Sequence, residues 1–197
     1  MIRLGITGGI GSGKSYVSRL LIQVGIPVYD TDSNAKRLMI EHPSIQKQLV
    51  ELLGENVYME GQLNKPLLAE YLFSSSENAS RINSIVHPVV KQDFQEWALR
   101  HSGTEIVAME CAILYESGFE QSVDKVLMVY APKEIRLQRA MQRDSASEAQ
   151  IRSRMAAQFS EEEKRKRADF VVVNDGVCLL WPQLQEVIDE LTTEKGR

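Results

Sequence analysis

The sequence predicts an α/β fold in which a parallel sheet of about five strands carries helices on both faces. Short apolar segments typical of strands alternate along the chain with longer segments whose apolar residues recur every three or four positions. This alternation lapses once, from Glu55 to about Arg100, where only helical patterns occur. We therefore expect a sheet-based core that is interrupted by a helical insertion.

The first half of the chain opens with the clearest strand and helix. In the strand, the apolar residues Ile2, Leu4 and Ile6 alternate with other residues. In the helix, apolar residues recur at i, i+3, i+4 and i+7, and they are Val17, Leu20, Leu21 and Val24. Gly25 ends this helix. Beyond it we expect a strand at 26–29, a helix from about 34 to 40, a break at His42-Pro43 and a helix over 44–53.

The insertion is expected to be helical throughout. Asn64-Lys65-Pro66 is typical of a helix start, and Ser74-Ser75-Ser76 forms a polar break. A second helical pattern begins around Ile82, is interrupted at His87-Pro88 and resumes as far as Ala98. An insertion of this kind often covers the ligand crevice of an α/β fold.

Regular alternation returns in the second half of the chain. We expect strands at 106–109 (ending at Glu110), at 125–130 and at 170–173. Helices are expected after Pro132, over 146–159, after Ser160 and from about Leu184 to Leu191. The sequence from Ser160 to Glu163 fits a capping box, which favours a helix start there.

The strongest functional signal is the segment Gly8-Gly9-Ile10-Gly11-Ser12-Gly13-Lys14-Ser15, which fits the P-loop pattern G-x-x-x-x-G-K-[ST]. Its glycines allow backbone N–H groups to approach phosphate oxygens, and the following helix directs its positive end at the same anion. Lys14 would reach the β- and γ-phosphates, and the Ser15 hydroxyl would hold Mg²⁺. The alternative, a glycine-rich turn with an incidental lysine, is disfavoured because a strand precedes the motif and a helix follows. The glycines are not spaced as G-x-G-x-x-G, the pattern of a dinucleotide-binding site, which disfavours that kind of site. The motif therefore predicts binding of a nucleoside triphosphate.

Composition narrows the class of protein. The chain has 197 residues and a formal net charge of −4, whereas nucleic-acid binders usually carry a basic surplus. No apolar run approaches the length of a membrane span, and no signal-peptide pattern is present. The two cysteines, Cys111 and Cys178, are too few for a disulfide framework or zinc site and are expected to be buried free thiols. We expect a cytoplasmic protein with no nucleic-acid or membrane partner.

Two aspartates follow the second predicted strand. Asp30 and Asp32 lie at the carboxyl edge of the sheet, where α/β proteins bind ligands. A carboxylate there could orient or deprotonate an acceptor hydroxyl for attack on a γ-phosphate. The alternative is helix N-capping by Asp32 or Ser33, and position alone does not decide between them. Glu110, at the end of a strand, could likewise hold a metal-bound water or cap a loop.

Basic residues in the second half allow two interpretations. Arg139 and Arg143 share a helix face and could stabilise a transferring phosphoryl group, although a solvated face paired with Glu134 or Asp144 is slightly favoured. The run 164–167 could contact nucleic acid. However, three glutamates stand four residues earlier, which favours a solvated helix paired within itself.

The motifs together resemble one family, dephospho-coenzyme A kinase. The resemblance rests on segments that run in order through nearly the whole chain: Thr7–Ser15, Asp30-Thr31-Asp32, His87-Pro88, Ile113–Glu116, Gln138-Arg139 with Arg143-Asp144, and Ala168-Asp169 followed by Asn174 and Gly176. It implies transfer of the ATP γ-phosphate to the 3′-hydroxyl of dephospho-coenzyme A, the last step of coenzyme A synthesis. It also implies a P-loop kinase-like core at 1–54, 104–142 and 166–197, a helical coenzyme-A-binding insertion at 55–103 and a lid at 143–165.

The resemblance also assigns roles to individual residues. Asp32, Lys14 and Arg139 would be catalytic, Asp32 as the base, and Asp32 and His87 would bind the substrate. Ser15 would bind Mg²⁺, the implied cofactor. The nucleotide would be bound by ten positions, which include Lys14 and Ser15: Gly8, Gly9, Gly11, Ser12, Gly13, Lys14, Ser15, Tyr16, Arg143 and Asn174. The implied partners are ATP and dephospho-coenzyme A, and we expect a monomer or a weak homo-oligomer.

Two positions depart from the family pattern. Glu110 stands where the family commonly has aspartate, and the proline usual two residues later is absent, so a metal-related role for Glu110 stays open. Tyr16 replaces the usual threonine, although its backbone N–H could still contact phosphate. The rival functions are a kinase of another small acceptor and a GTPase-like switch, and the latter is disfavoured because no Asn-Lys-x-Asp segment is present.

Overall fold

The structure is a computed structural model that describes residues 1–194. Its main sheet contains five strands: β1 (Ile2–Thr7), β2 (Val28–Asp30), β5 (Ile106–Glu110), β6 (Lys125–Tyr130) and β7 (Phe170–Val173). A separate two-stranded hairpin consists of β3 (Tyr58–Met59) and β4 (Gln62–Leu63). The α-helices are α1 (Lys14–Gln23), α2 (Thr31–Glu41), α3 (Pro43–Leu53), α4 (Lys65–Ser74), α5 (Ser76–Arg100), α6 (Lys133–Asp144), α7 (Glu148–Ala156), α8 (Glu161–Arg167) and α9 (Leu180–Glu194).

The five strands form a parallel sheet in the order β2-β5-β1-β6-β7, which confirms the predicted fold class. Strand β1 lies at its centre and pairs with β5 on one side and β6 on the other, with Ile6 opposite both Glu110 and Leu127. Four successive residues in each of β1, β5 and β6 are buried, because both faces of the sheet are covered. The carboxyl ends of β1, β5 and β6 therefore meet at one edge of the sheet.

The core of this sheet is one apolar cluster. It combines inward side chains of the strands with the apolar faces of α1 and α9, and it includes Leu4, Ile6, Val17, Leu21, Leu127, Val129, Leu184 and Leu191, all at most 1% exposed. Burying a single Leu, Ile or Val side chain contributes about 1.5–3 kcal/mol. This packing holds β1 and α1 in fixed positions on either side of the loop that connects them.

The chain forms two compact units. One consists of Met1–Tyr29 together with the chain from Trp97, and the other is Asp30–Glu96. No helix within residues 1–194 is long and apolar enough to cross a membrane. Of the two free cysteines, Cys111 is buried as expected, but the expectation for Cys178 was wrong because its side chain is exposed beside Asp175.

Helix α2 begins at Thr31, three residues before the predicted start. Asp30 is its N-cap: the Asp30 carboxylate accepts a hydrogen bond from the backbone N–H of Asp32 at 3.0 Å and another from the Ser33 hydroxyl at 2.6 Å. Neither Asp32 nor Ser33 caps the helix, so that alternative is wrong. The capping residue is the last residue of β2, which leaves no loop between strand and helix.

Helix α5 runs unbroken from Ser76 to Arg100, although an interruption was predicted at His87-Pro88. Pro88 removes one helical hydrogen bond and strains the preceding turn, at a cost of about 3 kcal/mol. Four apolar residues at successive i, i+4 positions are nearly fully buried, and they are Ile82, Val86, Val90 and Phe94. Their combined burial outweighs the cost of the proline, since each contributes about 1.5–3 kcal/mol.

Two smaller differences concern element length. The hairpin β3–β4 was not predicted, because two-residue strands are too short to show alternation; its turn at Glu60-Gly61 has φ angles of 52° and 76°, typical of a tight hairpin. Helix α7 covers Glu148–Ala156, shorter at both ends than the predicted 146–159; it starts at Glu148 because Ser147 and Gln150 form a capping box there.

Candidate nucleotide-binding site

The P-loop joins β1 to α1 in a conformation with positive φ angles at three glycines, Gly8, Gly11 and Gly13. Gly11 and Gly13 have φ angles of 79° and 99°, in the left-handed region that other residues rarely adopt. A Cβ atom at Gly11 would lie 2.1 Å from the carbonyl oxygen of Arg136, and one at Gly13 would lie 2.1 Å from Asn174 Nδ2. The loop is thus packed against two other elements as closely as a bare backbone permits.

Lys14 is the first residue of α1, and its side chain folds back over the loop. Its ammonium group donates hydrogen bonds to the carbonyl oxygens of Gly8 at 2.9 Å and Gly9 at 3.3 Å, and the residue is 9% exposed. Gly13 is the N-cap of α1, and among the described residues no side-chain hydrogen bond caps the positive end of this helix. A helix end and a lysine charge therefore converge on the same place, as an anion-binding loop requires.

A cavity of about 230 Å³ opens beside this loop, and four cationic side chains line it. The lining residues are Gly11, Gly13, Lys14, Ser15, Tyr16, Arg19, Arg139 and Arg143. The two arginines of α6 reach the cavity because they lie four residues apart on one helix face. The structure thus brings the predicted arginine pair and the P-loop together in a site that suits a polyanion.

The arginines also have protein partners. Arg139 donates from Nη1 to the backbone oxygen of Asn174 at 2.9 Å, whereas Arg143 pairs with Asp144 at 2.7 Å. The Arg143 pair matches the solvated interpretation of this helix face. Cavity lining and ion pairing therefore coexist in Arg143, and the two alternatives considered for the sequence do not exclude each other.

Asn174 connects the end of the sheet to the P-loop. Its side-chain amide donates to the carbonyl oxygen of Ser12 at 2.8 Å, and its backbone N–H donates to Tyr130 at 2.8 Å. Asn174 was assigned to the nucleotide from the sequence resemblance. The structure places it at the loop itself, where it fixes the backbone beside Gly13.

Oxygen ligands for a cation lie next to the P-loop. The hydroxyls of Ser15 and Ser18 each donate to a different oxygen of the Glu110 carboxylate, both at 2.7 Å. Within residues 1–194 there is no group of three or more His, Cys, Asp or Glu side chains that could hold a metal. A hydroxyl and a single carboxylate fit Mg²⁺, which usually keeps several waters and binds phosphate oxygens. The sequence did not indicate Ser18, which lies one helical turn after Ser15.

Asp32 and His87 belong to the unit Asp30–Glu96. Asp32 is exposed in the first turn of α2, and its carboxylate is not used for capping. His87 is half-buried on α5, where burial and then the charge of Lys91 lower its pKa from 6.5. A neutral imidazole at physiological pH follows from that shift.

Several buried charges near the P-loop were not found from the sequence. Arg136 and Glu161 pair at 3.7 Å with both side chains less than 10% exposed. Lys164 is fully buried and contacts Glu116 at 2.9 Å. Most of α8 is exposed, as predicted, but the prediction that it pairs within itself was wrong. Glu161, Lys164 and Arg167 instead pair with residues outside the helix, namely Arg136, Glu116 and Glu120. Spacing alone could not reveal this, since the partners are distant in sequence.

Comparison with known proteins gives consistent matches. The dephospho-CoA kinase family model matches residues 2–179. A dephospho-CoA kinase of Bacteroides fragilis is 52% identical over 187 residues, covering 95% of this chain and 91% of that protein. A crystal structure from Thermus thermophilus has a TM-score of 0.83 at 36% identity, covering 96% of this chain and 97% of that one. A dephospho-CoA kinase from Campylobacter jejuni, at 24% identity and a TM-score of 0.71 over 98% of both chains, shares the fold.

The residues matched by the family model include the residues of the candidate site. The P-loop, the arginines of α6 and the Glu110 carboxylate all lie inside the matched residues 2–179. The prediction of an ATP-dependent kinase, made from the resemblance, is confirmed. Since the family model spans most of the chain and a relative at 52% identity covers 95% of it, the chain belongs to the dephospho-CoA kinase family.

Proposed function

We propose that this chain transfers the γ-phosphate of ATP to the 3′-hydroxyl of dephospho-coenzyme A. The observation that carries the proposal is the cavity shared by the P-loop, Arg139 and Arg143, in a chain of this family. Four cations around one loop suit a triphosphate, and phosphoryl transfer is catalysed mainly by positioning and by stabilising charge.

Lys14 is placed to act on the phosphates. In the structure its ammonium group is held by two P-loop carbonyls at 2.9 and 3.3 Å. When ATP binds, the ammonium group exchanges these contacts for β- and γ-phosphate oxygens without leaving the loop. Arg139 and Arg143 then add positive charge from α6, where it stabilises the negative charge of the transferring group.

Ser15 and Glu110 would hold Mg²⁺, which when bound neutralises charge on the β- and γ-phosphates. Glu110 keeps the Ser15 and Ser18 hydroxyls oriented through its two oxygens. The carboxylate is one methylene longer than the aspartate usual in the family. The pair of hydroxyl contacts supports a role for Glu110 in orienting the Ser15 hydroxyl.

Asp32 acts as the base in this proposal. Since Asp30 caps α2, the Asp32 carboxylate is not engaged in holding the helix end, and it is exposed. It would accept the proton of the 3′-hydroxyl as that oxygen attacks the γ-phosphorus. His87, neutral because burial lowers its pKa, would contribute a hydrogen bond to the substrate from the helical insertion.

We also propose the domain roles and the location of the protein. Residues 55–103 would bind the coenzyme A moiety, and residues 143–165 would close as a lid and exclude water, which would otherwise accept the phosphate. Both free thiols fit a reducing cytoplasm. We expect a monomer or weak homo-oligomer that binds neither nucleic acid nor membrane.

The test is ADP release from ATP and Mg²⁺ with and without dephospho-coenzyme A, with the product identified by mass. We expect ADP release that depends on the acceptor and yields coenzyme A. Lys14→Ala should reduce turnover by orders of magnitude, while the same change at Lys47, whose side chain is 79% exposed, should leave it unaltered. Binding of ATP without transfer to this acceptor, but with transfer to another from a panel of small alcohols, would refute the proposed substrate.

A further inference from the structure

The P-loop backbone is bonded to two residues near the start of α8: Gln158, in the link between α7 and α8, and Glu161, the first residue of α8. The backbone N–H of Ile10 donates to Gln158 Oε1 at 3.0 Å. The backbone N–H of Gly9 donates to the Glu161 carboxylate. Two successive peptide groups of the phosphate loop are therefore bonded to side chains that lie about 150 residues away along the chain.

Arg136 also packs closely against the P-loop, beside Glu161. A Cβ atom at Gly9 would lie 2.3 Å from Arg136 Nη1 and 2.5 Å from Glu161 Oε1, and one at Gly11 would meet the Arg136 carbonyl. Arg136 is itself fixed, since its Nε donates to the Ala131 carbonyl at 3.0 Å. The Arg136–Glu161 pair thus lies directly against the loop and touches it at two glycines.

The same segment is anchored at its other side to the chain that follows β5. Gln158 Nε2 and Lys164 Nζ donate to the Ala112 carbonyl at 3.3 and 2.8 Å. The backbone N–H of Phe159 donates to Glu116 at 2.8 Å. Residues 158–164 therefore form a brace between the P-loop and the residues that follow Glu110.

We infer that this brace sets the conformation of the P-loop for phosphate binding, with Gln158 and Glu161 as positioning residues; the inference rests on the proposed nucleotide site. Gln158 and Glu161 bond to the peptide N–H groups of Ile10 and Gly9, and neither residue lines the cavity formed by Lys14 and Arg139. Since both residues fall in the predicted lid, movement of that segment would be transmitted to the loop backbone.

The chemistry of Glu161 supports a role beyond folding. Within residues 1–194, its Oε2 atom is buried and has no hydrogen-bond partner. Burial raises the pKa of Glu161, and the charges of Arg136 and Lys164 oppose that rise. Well-packed apolar residues often stabilise a core as well as a buried ion pair does, so a buried carboxylate with one unpartnered oxygen is poorly explained by stability alone.

The test measures equilibrium binding of a non-hydrolysable ATP analogue with Mg²⁺, by calorimetry, without any acceptor. Gln158→Leu removes both the acceptor for the Ile10 N–H and the donor to the Ala112 carbonyl, whereas Gln158→Glu loses only the donor. We expect Gln158→Leu to bind about 3- to 10-fold more weakly than Gln158→Glu, the effect of the one hydrogen bond to Ile10 by which the two variants differ.

The second arm concerns Glu161. Glu161→Ala should weaken binding more than Gln158→Leu does, and Glu161→Gln should recover part of the affinity because its amide oxygen can accept from Gly9. Glu163→Gln, on the exposed face of the same helix, removes the same charge and should bind as the wild type does. If Glu161→Ala does not fold, the Gln158 pair decides alone.

The result that overturns the inference is wild-type affinity in Gln158→Leu at a temperature where it is folded. A lower melting temperature with unchanged affinity would equally refute it, because that pattern marks a purely structural contact. Since no acceptor is present, failure of the wild type to phosphorylate dephospho-coenzyme A would refute the proposed function and leave this result intact.

Discussion

Replacement of Lys164 by methionine should destabilise the fold strongly, although the residue lies in the most basic run of the chain. The Lys164 side chain is 0% exposed, and its ammonium group lies 2.9 Å from Glu116 Oε1 and 2.8 Å from the Ala112 carbonyl. Methionine keeps nearly the same length and volume, so little of the loss comes from a cavity. The change mainly removes the partner of a buried charge.

The magnitude follows from what remains around Glu116. Removing one partner of a buried pair costs about 3–5 kcal/mol. Glu116 is 13% exposed and still accepts the Phe159 N–H at 2.8 Å, which places the cost at the lower end of that range. A change of 1 kcal/mol shifts the melting temperature of a domain of this size by about 2–4 °C. A decrease of about 6–12 °C is therefore expected.

The measurement is urea denaturation followed by circular dichroism, with a thermal melt alongside. The midpoint should fall while the slope stays constant, because the exposed area on unfolding is unchanged. Lys166→Met, on an exposed position of the same helix, should shift the melt by no more than about 1–2 °C. The double variant with Glu116→Gln should recover most of the loss, since the neutral amide can still accept from Phe159. Equal melts for Lys164→Met and Lys166→Met would refute the assignment of a buried pair.

Three other outcomes are expected. Asp32→Asn should lose most of kcat with little change in the KM for ATP or in melting temperature. Asp30→Ala should lose about 0.5–2 kcal/mol of stability, because Asp30 is the N-cap of α2. Loss of stability in Asp32→Asn and loss of kcat in Asp30→Ala would contradict these roles. Hydrogen bonds from Arg3 lower the pKa of Asp124 below 3.8, so their contribution to stability is present above pH 3.8 and is lost as pH falls below it. In melts at a series of pH values, the wild type should therefore be more stable than Arg3→Met above pH 3.8, and this difference in melting temperature should shrink in acid. A difference in melting temperature that grows in acid would contradict this. The run 164–167 should give no salt-sensitive DNA shift in a gel, because Lys164 and Arg167 are paired with glutamates; a shift that salt abolishes would contradict it.

The parts of this fold that could be predicted are those set by local spacing. Short continuous apolar runs placed β6 and β7 at the residues the structure shows, and the P-loop pattern placed Lys14 at the start of α1. Asn64 as a helix cap is also local, because its side chain accepts from the backbone three residues later. Each of these features depends on residues within one turn or one strand of each other.

What could not be predicted depends on partners distant in sequence or on a balance of opposing terms. Pro88 inside α5 is tolerated only because burial of one helix face outweighs its cost, and the sequence shows the cost but not the burial. Helix α2 starts early because the last residue of β2 also caps it, a dual role that strand and helix patterns treat separately. Both errors concern where an element begins or ends.

In the candidate site, too, some residues could be identified from local sequence, and others depend on partners distant in sequence. The residues proposed to contact phosphate, Lys14 and Ser15, lie in one motif and could be identified from its spacing. The residues that hold this motif in shape, Gln158 and Glu161, belong to another segment and are unremarkable by type or spacing. A loop that bends through left-handed glycines at Gly11 and Gly13 has little conformational preference of its own. Its shape must therefore come from side chains that bond to its peptide groups, and such side chains can come from any part of the chain.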